Sequence, residues 1–131
     1  MKIHLSILGY ILMLCIASTA FAQKCKEKYP DVIVSKGGGP GINAGGPRIK
    51  DKPQPEYTEE ARRHEISGTV LLRAVFHSSG KVRDVCWVSS LPYGLTENAI
   101  KAAYQIRFEP LERDGRPLSV AMLVEYNFQL Y

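Results

Sequence analysis

The sequence predicts an α+β fold, a three-stranded antiparallel sheet with two helices, and three stretches carry that expectation. Residues 118–131 place Leu118, Val120, Met122, Val124, Tyr126, Phe128 and Leu130 at every even position with mostly polar residues between, the period-two pattern of a one-sided strand. Residues 69–77 alternate in the same way, and Ser78-Ser79-Gly80-Lys81 leads into a returning arm at 82–89, which reads as a hairpin. Residues 95–107 instead bring Leu95, Ala99, Ala102, Ala103 and Ile106 to one face at helical spacing.

Taken in order, the chain opens on Met1-Lys2, an apolar run from Ile3 to Ile16, and Ala20-Phe21-Ala22 before Gln23. This is the layout of a secretory signal peptide, residues 1–22, cleaved between Ala22 and Gln23. The alternative is an uncleaved inner-membrane anchor, because residues 3–22 carry no carboxylate and are just long enough to span a bilayer. His4, Ser6, Ser18 and Thr19 leave an apolar centre of only about ten residues, which favours cleavage. Lipidation is disfavoured, since Cys15 follows Leu14 and Cys25 follows Lys24, where that chemistry wants a small residue.

Without Lys2 the chain carries 16 basic and 13 acidic side chains, a surplus of three. No clustered Lys/Arg stripe is present, and export would remove nucleic acid as a partner. The remaining 109 residues allow one small domain, with Trp87 and most Tyr and Phe expected in its core. Cys25 and Cys86 would both persist in a compartment where disulfides form. Either they pair, which needs close Cα atoms, or Cys86 is a small core residue on its strand and Cys25 lies in an N-terminal tail.

Residues 23–52 read as a flexible Gly/Pro-rich linker, most clearly Lys-Gly-Gly-Gly-Pro-Gly-Ile-Asn-Ala-Gly-Gly-Pro at 36–47. No Gly-Lys-Ser/Thr follows, which disfavours a phosphate loop. Val32-Ile33-Val34 is a candidate accessory strand. From Pro53 the punctuation becomes regular. Pro53 and Pro55 hold the chain extended, Thr58 is placed to cap a helix over residues 59–65, and Glu59 and Glu60 fall in its favourable first turn. The hairpin strands follow at 69–77 and 82–89, with Val70, Leu72, Ala74 and Phe76 on one face. After the helix at 95–107, supported by Glu97 and Lys101 at i,i+4, Asp114-Gly115 makes a turn into the final strand. Right-handed crossover puts that strand beside the first, in the order second, first, last, which leaves it at an edge. A long edge strand is a template for another chain.

In residues 53–131 the chain resembles the C-terminal domain of TonB, the periplasmic energy transducer of Gram-negative bacteria. The landmarks are Gln54-Pro55-Glu56-Tyr57, Ala61-Arg62, Gly68-Thr69-Val70, Ser79-Gly80-Lys81-Val82, Val85, Arg107-Phe108-Glu109-Pro110, Gly115 and Phe128 in the end strand. The resemblance implies the same three-stranded sheet and two helices. It also implies a partner: a segment of a TonB-dependent outer-membrane receptor for siderophores, cobalamin or other scarce nutrients, added as a strand to the last strand. On this chain the receptor-peptide site would comprise Gln54, Pro55 and Tyr57, with backbone groups near Leu123, Glu125 and Asn127.

The family's transducers keep a membrane helix that meets the inner-membrane proton-driven motor, followed by a long Pro-rich spacer. Here the leader has the layout of a cleaved one, the motor-contacting motif is not recognisable, and the linker spans at most roughly 100 Å when stretched. Motor coupling would therefore require an uncleaved leader. A second reading is a soluble periplasmic interaction or envelope-structural module that binds another protein or peptidoglycan without transducing energy. Strand exchange between two copies would give a homodimer.

An enzyme is not expected. His64 and His77 form no metal-ligand pattern with Cys25 or Cys86, His64-Glu65 lacks the second histidine of a zinc-protease helix, and Ser78, Ser79, Ser89 and Ser90 lack nucleophile-elbow glycines. No cofactor motif is present.

Overall fold

The computed structural model describes residues 22–25, the backbone of residues 33–35, and residues 46–131. Residues 1–21, on which the signal-peptide and anchor expectations rest, and the glycine-rich residues 36–45 lie outside the described residues. In chain order the elements are β1 (Ile33–Ser35), β2 (Arg48–Asp51), α1 (Glu59–Arg63), β3 (Gly68–Phe76), β4 (Val82–Ser89), α2 (Leu95–Tyr104), β5 (Arg107–Glu109), β6 (Leu111–Arg113), β7 (Arg116–Leu118) and β8 (Val120–Phe128).

β3 lies between β4 and β8 and runs antiparallel to both. The three-stranded antiparallel sheet and its order, second, first, last, are as the sequence predicts. The main sheet also takes up β1, parallel to β8, with Ile33 opposite Val120 and Ser35 opposite Met122. Among the described residues the last strand is therefore an edge only beyond Met122, because a short β-prone segment has found its unpaired backbone.

Both helices end earlier than the sequence indicates, the first at Arg63, and the final strand is divided. The second helix stops at Tyr104, where the Gln105 N–H donates to the Ala102 carbonyl and the Ile106 N–H to the Ala103 carbonyl. Arg107–Glu109 then leaves as β5 and pairs with β2, where Lys50 approaches Glu109 at 2.7 Å and Arg107 approaches Asp51 at 3.5 Å. The expected strand over 118–131 is split. Asp114 and Gly115 both have positive φ, 53° and 75°, the backbone of a tight primed turn. That turn folds β7 onto β6 before β8 begins.

The core lies between the helices and the even-numbered face of β3 and β8. Val70, Leu72, Ala74, Phe76, Val124, Tyr126 and Phe128 meet Ala61, Leu95, Ala99, Ala102 and Ala103 there. Phe76 and Phe108 pack edge to face at 4.9 Å. Among the tyrosines the large core piece is Tyr126, while Trp87 is only half-buried and Tyr93, Tyr104 and Tyr131 are exposed. The aromatic expectation thus holds better for phenylalanine than for the residues with polar tips.

Thr58 starts α1 as expected, accepting from the Ala61 N–H at 3.1 Å, and its hydroxyl donates to the Tyr93 carbonyl at 2.7 Å. One side chain thereby satisfies an orphan helix donor and ties α1 to the loop before α2. Thr58→Ala is expected to destabilise the domain by about 1–2 kcal/mol, measured by denaturant unfolding.

Asp84 has φ 49° and sits where the β3–β4 register shifts between Arg73 and Val75. The bulge reverses the alternation of β4. Val82 packs into the core, but beyond the bulge Val85 and Trp87 do so instead, and Cys86 turns to the opposite face.

Candidate functional site: the outward backbone of the last strand

In an antiparallel pair, successive residues direct their N–H and C=O groups alternately toward the partner and away from it. On β8 the phase is fixed by Lys52, whose ammonium donates to the Glu125 carbonyl oxygen at 2.7 Å. The Glu125 backbone thus faces away from β3, and Leu123 and Asn127 share its phase. Val124, Tyr126 and Phe128, the alternate set, bury their side chains in the core. Leu123, Glu125 and Asn127 are exposed. Over residues 123–128 the strand is therefore anchored through one set of residues and presents the backbone of the other.

The segment from Gly46 to Tyr57 passes over the even-numbered side chains of this strand. Gly46 lies against Met122, Lys52 reaches Glu125, and the Tyr57 ring meets Phe128 edge to face at 5.5 Å. Gln54 and Pro55 lie on the connection between the last two contacts, Gln54 exposed and Pro55 half-buried. Tyr57 is braced on three sides: its hydroxyl donates to the Ile66 carbonyl, its ring packs on Phe128, and the Arg62 guanidinium stands 5.0 Å over it. Its visible role is to hold the segment against the end of β8. The structure thus brings Gln54, Pro55 and Tyr57 to the same end of the strand as Asn127.

Lys52 is the residue that sequence reasoning did not select. It lies at the last position of the expected linker, where a lone lysine carries no pattern. Its ammonium also stands 4.6 Å from the centroid of the Tyr126 ring, and burial of that end holds its pKa below the usual lysine value, with the Glu125 charge opposing. Among the described residues the buried Tyr126 hydroxyl has no hydrogen-bond partner, and burial pushes its pKa up to about 12. Tyr126→Phe removes an unsatisfied group and keeps the ring. It is expected to leave stability unchanged or raise it by up to about 1 kcal/mol in thermal unfolding.

The opposite side of the sheet is closed near Trp87. Cys25 and Cys86 are bridged, with sulfurs 2.04 Å apart. Gln23 and Cys25 pair with the Trp87 backbone, each through a 3.0 Å bond, and the Trp87 indole donates to the Ala22 carbonyl. Ala22 and Gln23, which flank the expected cleavage point, thus both lie against Trp87.

The two histidines of the domain stand apart from this edge's chemistry. His64 stacks on Tyr93 at 4.3 Å, and His77 Nδ1 accepts from the Ser79 N–H at 3.0 Å. Among the described residues, no three His, Cys, Asp or Glu side chains are grouped to hold a metal.

Comparison with known proteins bears on the family and the fold. The family described as Gram-negative bacterial TonB protein C-terminal matches residues 53–130. Among solved structures, the chain is similar to the solution NMR structure of the Pseudomonas aeruginosa TonB C-terminal domain, with a TM-score of 0.56 and 21% identity over 68% of this chain and 91% of that one. At that identity the likeness establishes the fold. No curated protein matches the chain.

Proposed function

The chain belongs to the Gram-negative bacterial TonB protein C-terminal family, and from that premise we propose that the open stretch of β8 takes up a segment of a TonB-dependent outer-membrane receptor as an added strand. The observation that carries this reading is the outward backbone of Leu123, Glu125 and Asn127 on a strand whose other side chains are locked in the core. Each outward residue offers an N–H and a C=O, so affinity comes from main-chain bonds and makes little demand on sequence. Bonds perpendicular to the strand axis share a load applied along it, which suits the edge to transmitting a pull.

A periplasmic location accords with the family's Gram-negative envelope setting and with a disulfide, which persists in oxidising compartments. The bridge also alters reach. While Cys25 is bonded to Cys86, the covalent path from residue 22 to the domain enters β4 directly, and the glycine-rich residues lie in a closed loop that adds no length. A chain cleaved after Ala22 binds a receptor without pulling on it; a chain retaining residues 1–22 as an anchor couples to the inner-membrane motor at short range. Intact mass in membrane and soluble fractions separates these two forms.

The binding reading is tested by calorimetric titration of the disulfide-bonded protein with synthetic periplasmic segments of receptors from the same organism. Saturable binding that a scrambled segment does not reproduce is the expected result. Heat only with peptidoglycan fragments, or with a second copy of the protein, would assign the edge to the envelope-structural or homodimer alternative.

A further inference from the structure

We propose that Lys52 makes this edge selective for a partner strand carrying a carboxylate at the position opposite Tyr126. The inference rests on the strand-addition reading and specifies the chemistry of the partner. Lys52 occupies the Glu125 carbonyl that a partner's N–H would use, and it does so from the face of the sheet that carries the Tyr126 ring. Among the described residues it is in no salt bridge; the Glu125 carboxylate acts on it only through its charge, without an ion-pair contact. An arriving strand displaces the ammonium from its acceptor and covers it further from water. A cation removed from water needs a new acceptor, and a carboxylate supplies a charge-assisted bond.

Geometry fixes where that carboxylate must be. Side chains directly opposite in neighbouring strands stand on the same face, so a partner residue opposite Tyr126 projects beside Lys52. A residue opposite Glu125 projects to the far side. The same acidic group moved by one position loses the contact.

The test uses the disulfide-bonded protein, isotopically labelled, and capped peptides of alternating Val and Thr. The Val positions fix which face turns toward the apolar side. One peptide pair has Glu or Gln replacing a central Val, and a second pair has Glu or Gln replacing a central Thr. Affinity is read from amide shifts on β8. With the wild-type protein, Glu in the Val series is expected to bind at least about fivefold tighter than Gln, a preference that falls with added salt. Lys52→Met abolishes the preference and binds the Gln peptide no more weakly than wild type does, whereas Lys52→Arg retains it. The Thr series shows no such dependence. An equal Glu-to-Gln ratio in wild type and Lys52→Met overturns the role of Lys52 alone. Absence of β8 shifts with every peptide overturns the strand-addition reading, and the selectivity with it.

Discussion

Glu125→Pro is expected to weaken receptor-segment binding by at least about tenfold, equivalent to 1.4 kcal/mol, while the domain stays folded. Proline removes a backbone N–H and places its ring where that N–H would meet the partner. At Glu125 the lost donor faces away from β3, so the β3–β8 ladder keeps its bonds, and proline is tolerated on the open side of an edge strand. The side chain is exposed, so no core volume is lost. The matched control is Val124→Pro, one residue away. Its N–H faces β3, its side chain is buried, and leaving the opposing carbonyl unpaired alone costs about 1–3 kcal/mol before the lost packing is counted. Binding by calorimetry and folding by thermal melts should therefore separate for Glu125→Pro and fall together for Val124→Pro. If Glu125→Pro binds as well as wild type, the backbone of that edge is not the binding surface.

Removal of the Cys25–Cys86 bridge carries the second large effect. The bond joins residues 61 apart in sequence, and loop-closure entropy on that scale gives a ceiling of about 4 kcal/mol. The realised value is smaller if residues 22–25 leave the Trp87 edge in the reduced fold, because the native state then regains freedom as well. The expected loss for Cys25→Ser with Cys86→Ser is about 2–4 kcal/mol, a fall in Tm of roughly 10–20 °C for a domain of this size. Melts with and without reductant on the wild type should show the same interval. An unchanged Tm would mean that the bond holds a tail and contributes little to the domain. Loss of the bridge also opens the closed glycine-rich loop, so a label attached N-terminal to Cys25 should move away from β4 in distance measurements.

Much of the architecture was legible because long one-sided patterns dominate it. Period-two apolar residues in β3 and β8 and helical spacing around Ala99 and Ala103 each place a whole element, and right-handed crossover then orders the strands. Local chemistry marked the Thr58 cap and the Asp114-Gly115 turn. What was hidden depends on pairing at a distance. Nothing in Arg107-Phe108-Glu109 separates a last helical turn from a strand until β2 arrives beside it with Arg48 and Lys50. The bulge at Asp84 cannot be read from Arg83-Asp84-Val85, yet it decides that Cys86 turns away from the main core.

The candidate site was legible in its backbone and less so in its side chains. The parity of β8 already assigns Leu123, Glu125 and Asn127 to one set, and the structure adds that this set faces outward. Tyr57 is a packing brace as much as a surface residue. Lys52 was beyond reach, since only the folded path from Gly46 to Tyr57 brings it to the Glu125 carbonyl.

A partner strand bonded to the outward backbone of β8 is read out residue by residue in amide hydrogen exchange. In the free protein the amides of Val124, Tyr126 and Phe128 face β3 and should exchange slowly, while those of Leu123, Glu125 and Asn127 exchange fast. On adding a receptor segment, the three fast amides are expected to become protected and the slow set to change little. Protection elsewhere on the domain with Leu123, Glu125 and Asn127 still fast would contradict strand addition to β8.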